Sequence, residues 1–537
     1  MKWKFLALAL LPLSVAATDY HVAKTGNDTT GSGSEALPFL TIQKASYIAL
    51  TDGDRVIVHA GRYTEIETDL DDPGINATGV IPHADGITFM SAPGEHVIID
   101  QQYIPVESPP GTWTLPINTA SGREPAGFYT DKYDDIVIDG FEIINAASGV
   151  MTGNRTGSGG ELPDPDTGGI VAERAIIRNN HMHHINSLGN PAAIRSDSCR
   201  ECEIYDNVLH DASKVFEGIK YCTNDLECPG FPQNQNTAGI LGFDMIKPDI
   251  HHNIIYNAWK GIYHKKAGRI DGDVGAESGS IHNNIIYDTN IGIHHSQAGA
   301  CDYAHKAVRI YENLLYYVNH TPMTTGISAT LSESANPSGI SVIYNNTIIA
   351  DQGIFYDSFD DVRIFNNVFK LTNGNGIAIG RYVLTPDVDT CVEPDDTYGS
   401  LGPGPPFSAV FQLSDYNLID TGHRFRVGDD FYSLTQWQTG GTGNCTLNAT
   451  SGTCGLNSIE DTPLFISKPS DGDQDDAYQY FRLDTGSPGL DAGKTAVSDK
   501  PTGATIHMGA YPLGADSWVG PRDAAKSVAK ITDFAGV

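Results

Sequence analysis

Basic, aromatic and imidazole side chains crowd into one short stretch of an otherwise acidic chain. Residues 260–269 read Lys-Gly-Ile-Tyr-His-Lys-Lys-Ala-Gly-Arg, Asp271-Gly-Asp273 follow, and His294 and His295 come about one repeat later. The 537-residue chain carries a net charge of −32. A local cationic cluster therefore stands against a strongly negative field, and it can attract an anionic ligand only through its own residues. These residue types suit β-elimination at a uronic acid. That reaction needs the carboxylate neutralised so that the C5 proton becomes acidic, a base to take the proton, and an acid for the leaving oxygen. Lys265 is the candidate base, with Lys266 as the alternative. Arg269 or Arg195 can grip the carboxylate with two parallel hydrogen bonds. Tyr263 or His294 can act as the acid. His264 and His295 are expected beside the substrate, and Asp244, Asp271 and Asp273 offer oxygen ligands for Ca²⁺.

Plainer readings stand beside these. Lys265 and Lys266 fit solvated surface lysines, and Asp271-Gly-Asp273 is a turn signal. His264 and His295 follow an apolar Ile by two, which also suits a turn or the core. His251 and His252, and likewise His181, His183 and His184, read as structural or turn residues.

The elements that would position this set come from an internal repeat. A phrase of apolar, x, apolar, x, Asn, Asn recurs, as in Ala175-Ile-Ile-Arg-Asn-Asn180, Ser280-Ile-His-Asn-Asn284 and Val362-Arg-Ile-Phe-Asn-Asn367. Its last Asn falls at 180, 207, 253, 284, 313, 346, 367 and 417. Rungs of 21 to 33 residues with occasional longer insertions are what a β-solenoid produces. The phrases are β-branched and alternate with period two, so a helical solenoid is excluded. Asn at one point of successive coils predicts a hydrogen-bonded ladder at a bend, with the Asn itself tolerating left-handed geometry. A second phrase, Gly-Ile or Ala-Ile, follows within most rungs. If each Ile points inward, the next residue points out. One outward column then reads Arg195, Leu241, Tyr263, His294, Ser328, Phe355, Ala378, and a second reads Asp197, Phe243, Lys265, Ser296, Thr330, Asp357, Gly380.

The remaining features bound the class. Lys2 and Lys4 precede a short apolar run over residues 5–15 and small residues at 14, 16 and 17, which reads as a signal peptide over 1–17. No later run is long and apolar enough to span a bilayer. The expectation is an exported, monomeric protein, extracellular or, in a Gram-negative source, periplasmic. Eight cysteines fit an oxidising compartment, with local pairs Cys199/Cys202, Cys222/Cys228 and Cys445/Cys454. The acidic balance argues against nucleic acid as a partner.

The opening Tyr20-His-Val-Ala-Lys-Thr-Gly-Asn27, Pro38-Phe-Leu-Thr-Ile-Gln-Lys-Ala45, Asp52-Gly-Asp-Arg-Val-Ile-Val58 and Gly61-Arg-Tyr-Thr-Glu65 resembles that of exported members of the pectin-lyase-like superfamily of right-handed parallel β-helix proteins. The close, Phe481-Arg-Leu-Asp-Thr-Gly-Ser-Pro-Gly-Leu-Asp-Ala-Gly493 and Met508-Gly-Ala-Tyr511, resembles them too. The resemblance implies an all-β domain over 18–515, a capping helix near residues 42–50 and a tail over 516–537. It also implies a polysaccharide partner. The superfamily holds lyases, hydrolases, epimerases and non-catalytic proteins, so fold alone does not choose. Polysaccharide lyase is the reading the cationic cluster favours. The alternatives are a glycoside hydrolase using a carboxylate pair (Asp197 with Asp244, or Asp357 with Asp360 or Asp361), an epimerase, and a non-catalytic glycan binder. In the alginate and chondroitin lyases of this fold the base lysine is followed one coil later by an arginine. Here that position offers His294 and His295.

Overall fold

The period-two phrases form the strands they predict, and the strands stack in parallel. The computed structural model describes residues 17–510 except 65–76, 116–123, 154–171, 222–236, 266–278, 298–307, 318–322, 332–339, 381–410, 439–456, 466–480, 494–507 and some shorter stretches. The expected signal peptide and C-terminal tail lie outside the described residues, as do Lys266, Arg269, Asp244, Asp271 and Asp273. Among the described residues no helix is long and apolar enough to cross a membrane.

Each coil lays short strands on three faces. On the first face twelve strands, from Asp19–Val22 through Arg55–Val58 and Asp249–His251 to Phe411–Asp415, pair in chain order. Among the described residues every pairing along it is parallel, as in Glu203↔Asp249, Asp249↔Ser280 and Ser280↔Arg309. The second face starts directly after the Asn bend, with strands such as Glu142–Ala146, His181–Ser187 and Val208–His210. The third carries Ala192–Asp197, Ala238–Phe243, Thr325–Leu331 and Gln352–Asp357. Strands Ile254–Lys265 and Ile285–Gln297 run without a break across the second and third faces. Parallel strands joined through the other faces of the coil make a right-handed crossover, the hand that strand twist favours. The fold is the right-handed parallel β-helix expected from the sequence.

Alternation fills the interior. Ile194, Ile240, Ile262, Ile293, Ile327, Ile354 and Ile377 form one inward column, each fully buried, and Met182, Leu209, Ile255, Ile286, Leu315, Ile348 and Phe369 form another. The helix Ile42–Ile48 packs on the first coils and is capped by Thr41, whose hydroxyl accepts from the Lys44 N–H. Cys199 and Cys202 are joined as a disulfide and buried, so the local-pair expectation holds there. The other two expected pairs lie outside the described residues.

The Asn ladder forms from coil to coil. Each ladder Asn donates both its backbone N–H and its Nδ2 to the Oδ1 of the next, from Asn180 to Asn207 and onward to Asn417, at 3.0–3.1 Å. One detail differs from expectation. The left-handed residue is not the ladder Asn but the one before it: Asn179, Asp206, His252, Asn283, Glu312, Asn345, Asn366 and Tyr416 all have φ near +55°. The ladder Asn turns inward, where its amide can reach three carbonyl or amide oxygens, and its neighbour makes the bend.

The glycine of the Gly-Ile phrase also has a steric reason. A Cβ at Gly261 would lie 2.3 Å from Ile286 Cγ2 and 2.6 Å from the Gly292 carbonyl oxygen. Gly261→Ala is expected to destabilise by about 1–3 kcal/mol through overpacking, measured as a fall in the denaturation midpoint. Stability equal to the parent would show that this bend can relax.

Candidate active site

The strand register reproduces the first outward column. Arg195 pairs with Leu241, Leu241 with Tyr263, Tyr263 with His294, His294 with Ser328, and Ser328 with Phe355. Lys265 stands in the second column between Phe243 and Ser296. Tyr263, Lys265 and His294 are therefore brought together on the outside of the third face. Arg195, half-buried, lies two coils toward the N-terminus, about 10 Å away at ordinary strand spacing.

The centre of the site is a lysine that the forward-counted columns pass over. Lys260 precedes the Gly-Ile phrase, and its Nζ sits 3.5 Å from the centroid of the Tyr263 ring. It is 3% exposed. The Tyr263 and His294 rings stack at 4.6 Å. Lys265 Nζ stands 5.9 Å from the Tyr263 ring and 5.5 Å from the Phe243 ring. Ala192, Ala238, Leu241 and Tyr263 form an apolar floor on the N-terminal side. A cation over an electron-rich ring is stabilised, yet burial is the larger effect on Lys260. Burial, aided by the charge of Lys265, pushes its ammonium down to about 7. At neutral pH this amine is available without its proton, as a general base requires.

The same field acts on His294. Burial first, then the Lys260 and Lys265 charges, push its imidazolium down to about 3. His294 is therefore a neutral imidazole at neutral pH. His264 and His295 require a correction. Both point into the solenoid and are 1% and 0% exposed, so a glycan on the outer face does not meet them. Their offset of two from an inward Ile places them in the core by strand alternation. Burial pushes His264 down to about 4, the state of a neutral core imidazole. His251 stacks between Tyr205 and His282 on the first face, in keeping with a structural role.

Lys260 was findable. Alternation breaks at the Gly-Ile phrase, because a Cβ at Gly261 would meet the buried Ile286 while Ile262 also points inward, so the residue before the glycine points outward, in the column Ala192, Ala238, Lys260, Ile291, Thr325, Gln352. One charge in an otherwise uncharged column is the signal. The Ca²⁺ ligands expected at Asp244, Asp271 and Asp273 lie outside the described residues, and so do the side chains of Asp197, Asp357, Asp360 and Asp361.

No protein-family model matches the sequence, and no curated protein does. Solved structures with related strand architecture include the pectate lyase Pel9A, at 14% identity over 93% of this chain and 97% of that one, with a TM-score of 0.45. XylC in complex with xylose shares 17% identity over 76% and 86%, with a TM-score of 0.44. The A-module of the mannuronan C-5 epimerase AlgE4 from Azotobacter vinelandii shares 13% over 72% and 90%, with a TM-score of 0.36. The fold assignment rests on the strand pairing described above.

Proposed function

We propose that the chain is an exported polysaccharide lyase that cleaves a uronic-acid-containing glycan by β-elimination on the third face of the solenoid. The observation that supports this is a lysine amine held near pKa 7 beside a second lysine and a tyrosine, in a chain of net charge −32. Lys260 takes the base role first given to Lys265, because a base must be neutral to accept a proton. Lys265, half-buried at the edge of the cluster, meets the uronate carboxylate, and Arg195 meets that of a neighbouring sugar. The C5 proton passes to Lys260 Nζ. The C5 electrons form the C4=C5 double bond as the C4–O bond breaks, and the Tyr263 hydroxyl protonates the leaving oxygen. No step is routed through Ca²⁺.

The test is incubation of the purified protein with a panel of uronic-acid polysaccharides, following absorbance of the unsaturated product. A rising signal with one of them is expected. New reducing ends without that absorbance would replace the lyase reading with a hydrolase. Neither product from any glycan in the panel would leave a binding protein.

A further inference from the structure

One to three coils before Lys260, the second face carries a cluster that the reaction above does not use. In strand His181–Ser187, His181 and His183 project outward on either side of Met182, which is fully buried. Residues at i and i+2 of a strand share a face. Glu142 is the in-register neighbour of His181 on the preceding coil. All three histidines, His181, His183 and His184, lie in that strand, with a left-handed bend at His184, whose φ is +55°.

The donor atoms converge. One ligand atom each from Glu142, His181 and His183 lie within 4.8 Å of one another. His183 Nε2 and Glu142 Oε1 are 3.2 Å apart. Metal bonds of roughly 2.0–2.2 Å to nitrogen and oxygen in a tetrahedron put neighbouring ligand atoms about 3.3 Å apart, so this pair already has the spacing of one edge. On the following coil, His210 Nε2 faces His181 Nε2 at 2.8 Å. His210 Nδ1 donates to Asp211 at 2.8 Å, and Asp211 accepts from Asn257 Nδ2 at 3.0 Å. That chain fixes the His210 tautomer and turns its Nε2 lone pair toward the cluster, the carboxylate–histidine arrangement that orients metal ligands. The His183 and His210 rings stack at 4.9 Å, 3° from parallel. His96, half-exposed, bonds the second oxygen of Glu142 and borders the solvent side.

We propose that Glu142, His181 and His183 bind a divalent first-row transition-metal ion of the Zn²⁺ class, with His210 beside His181 as a positioning residue. Imidazole with a single carboxylate selects such ions over Ca²⁺ and Mg²⁺, which prefer all-oxygen sets. The site is on a different face from the glycan groove and does not depend on the lyase reading.

Calorimetric titration of the EDTA-stripped full chain with Zn²⁺ should give one saturable equivalent, and Ca²⁺ and Mg²⁺ should not compete. Zn²⁺ should raise the melting temperature in a concentration-dependent way, and Co²⁺ should give the visible absorption of a low-coordinate nitrogen–oxygen site. The combined Glu142→Gln, His181→Gln, His183→Gln variant should lose that equivalent. Asp211→Asn, which touches His210 and none of the three ligands, should weaken binding about 10-fold by loosening the orientation of His181. Absence of saturable Zn²⁺ binding overturns the proposal. Undiminished binding in the combined variant does so too, since the ion then sits on other histidines. If the combined variant does not fold, undiminished binding in His183→Gln alone overturns it.

Discussion

Lys260→Met is expected to lower kcat on the cognate uronic glycan by about a hundredfold to ten-thousandfold, the range ascribed to a positioned base, while making the protein more heat-resistant. The two effects have one cause. Burying an ammonium with a second lysine nearby costs free energy in the folded state, and an isosteric apolar chain removes that cost. The pH dependence fixes the sign. In the folded chain the amine titrates at about 7 instead of the usual 10.5. Between these values the unfolded chain binds more protons than the folded one, so parent stability rises with pH across that window. The melting-temperature advantage of Lys260→Met should be full below about pH 7 and shrink as pH climbs toward 10. The parent's kcat/KM should rise through about pH 7 as the amine loses its proton. A variant with parental kcat would remove Lys260 from the mechanism. An advantage that does not change with pH would show that the lysine is not charged and buried as described.

Asn313→Leu should be the most damaging single change in the ladder short of a truncation. Asn313 Oδ1 accepts from both the N–H and the Nδ2 of Asn284. Its own Nδ2 donates to Asn346 Oδ1 and to the carbonyls of Ile281 and Tyr311. Leu matches the volume but leaves these groups unpaired in a region where Asn313 itself is fully buried. Each orphaned buried polar group costs about 1–3 kcal/mol, so a loss of about 3–5 kcal/mol is expected, read as a lowered denaturant midpoint or loss of soluble protein. Asn313→Leu with parental stability would mean that the ladder contributes little. The same substitution at an exposed Asn is the control.

The fold was legible because its signals are local and repeated. The apolar alternation, the Asn phrase and the Gly-Ile phrase each recur, so every copy corrects the reading of the others, and the register that aligns Arg195 with Leu241, Tyr263 and His294 follows from them. The bend was read one residue off because the pair Asn-Asn hides which member turns the chain. Only copies with Asp206, His252, Glu312 or Tyr416 at the first position separate the two roles. The site was half legible. Tyr263, Lys265 and His294 came together from alternation alone, whereas the burial of Lys260 depends on neighbouring coils. His264 and His295 were assigned to the substrate for their chemistry, although their parity placed them inside. The His181–His183–Glu142 grouping crosses 41 residues of sequence, and no short motif encodes it.

The ladder bonds have one further meaning. Asn346 and Asn367 are 21 residues apart in the chain and Asn367 and Asn417 are 50 apart, yet both pairs are joined by side-chain bonds of 3.0–3.1 Å. The length of chain spent between two rungs is thus invisible to the scaffold. Closing a longer excursion costs only a slowly growing entropy. Insertions between rungs can therefore lengthen or shorten while the strands bearing Lys260 and Tyr263 keep their register.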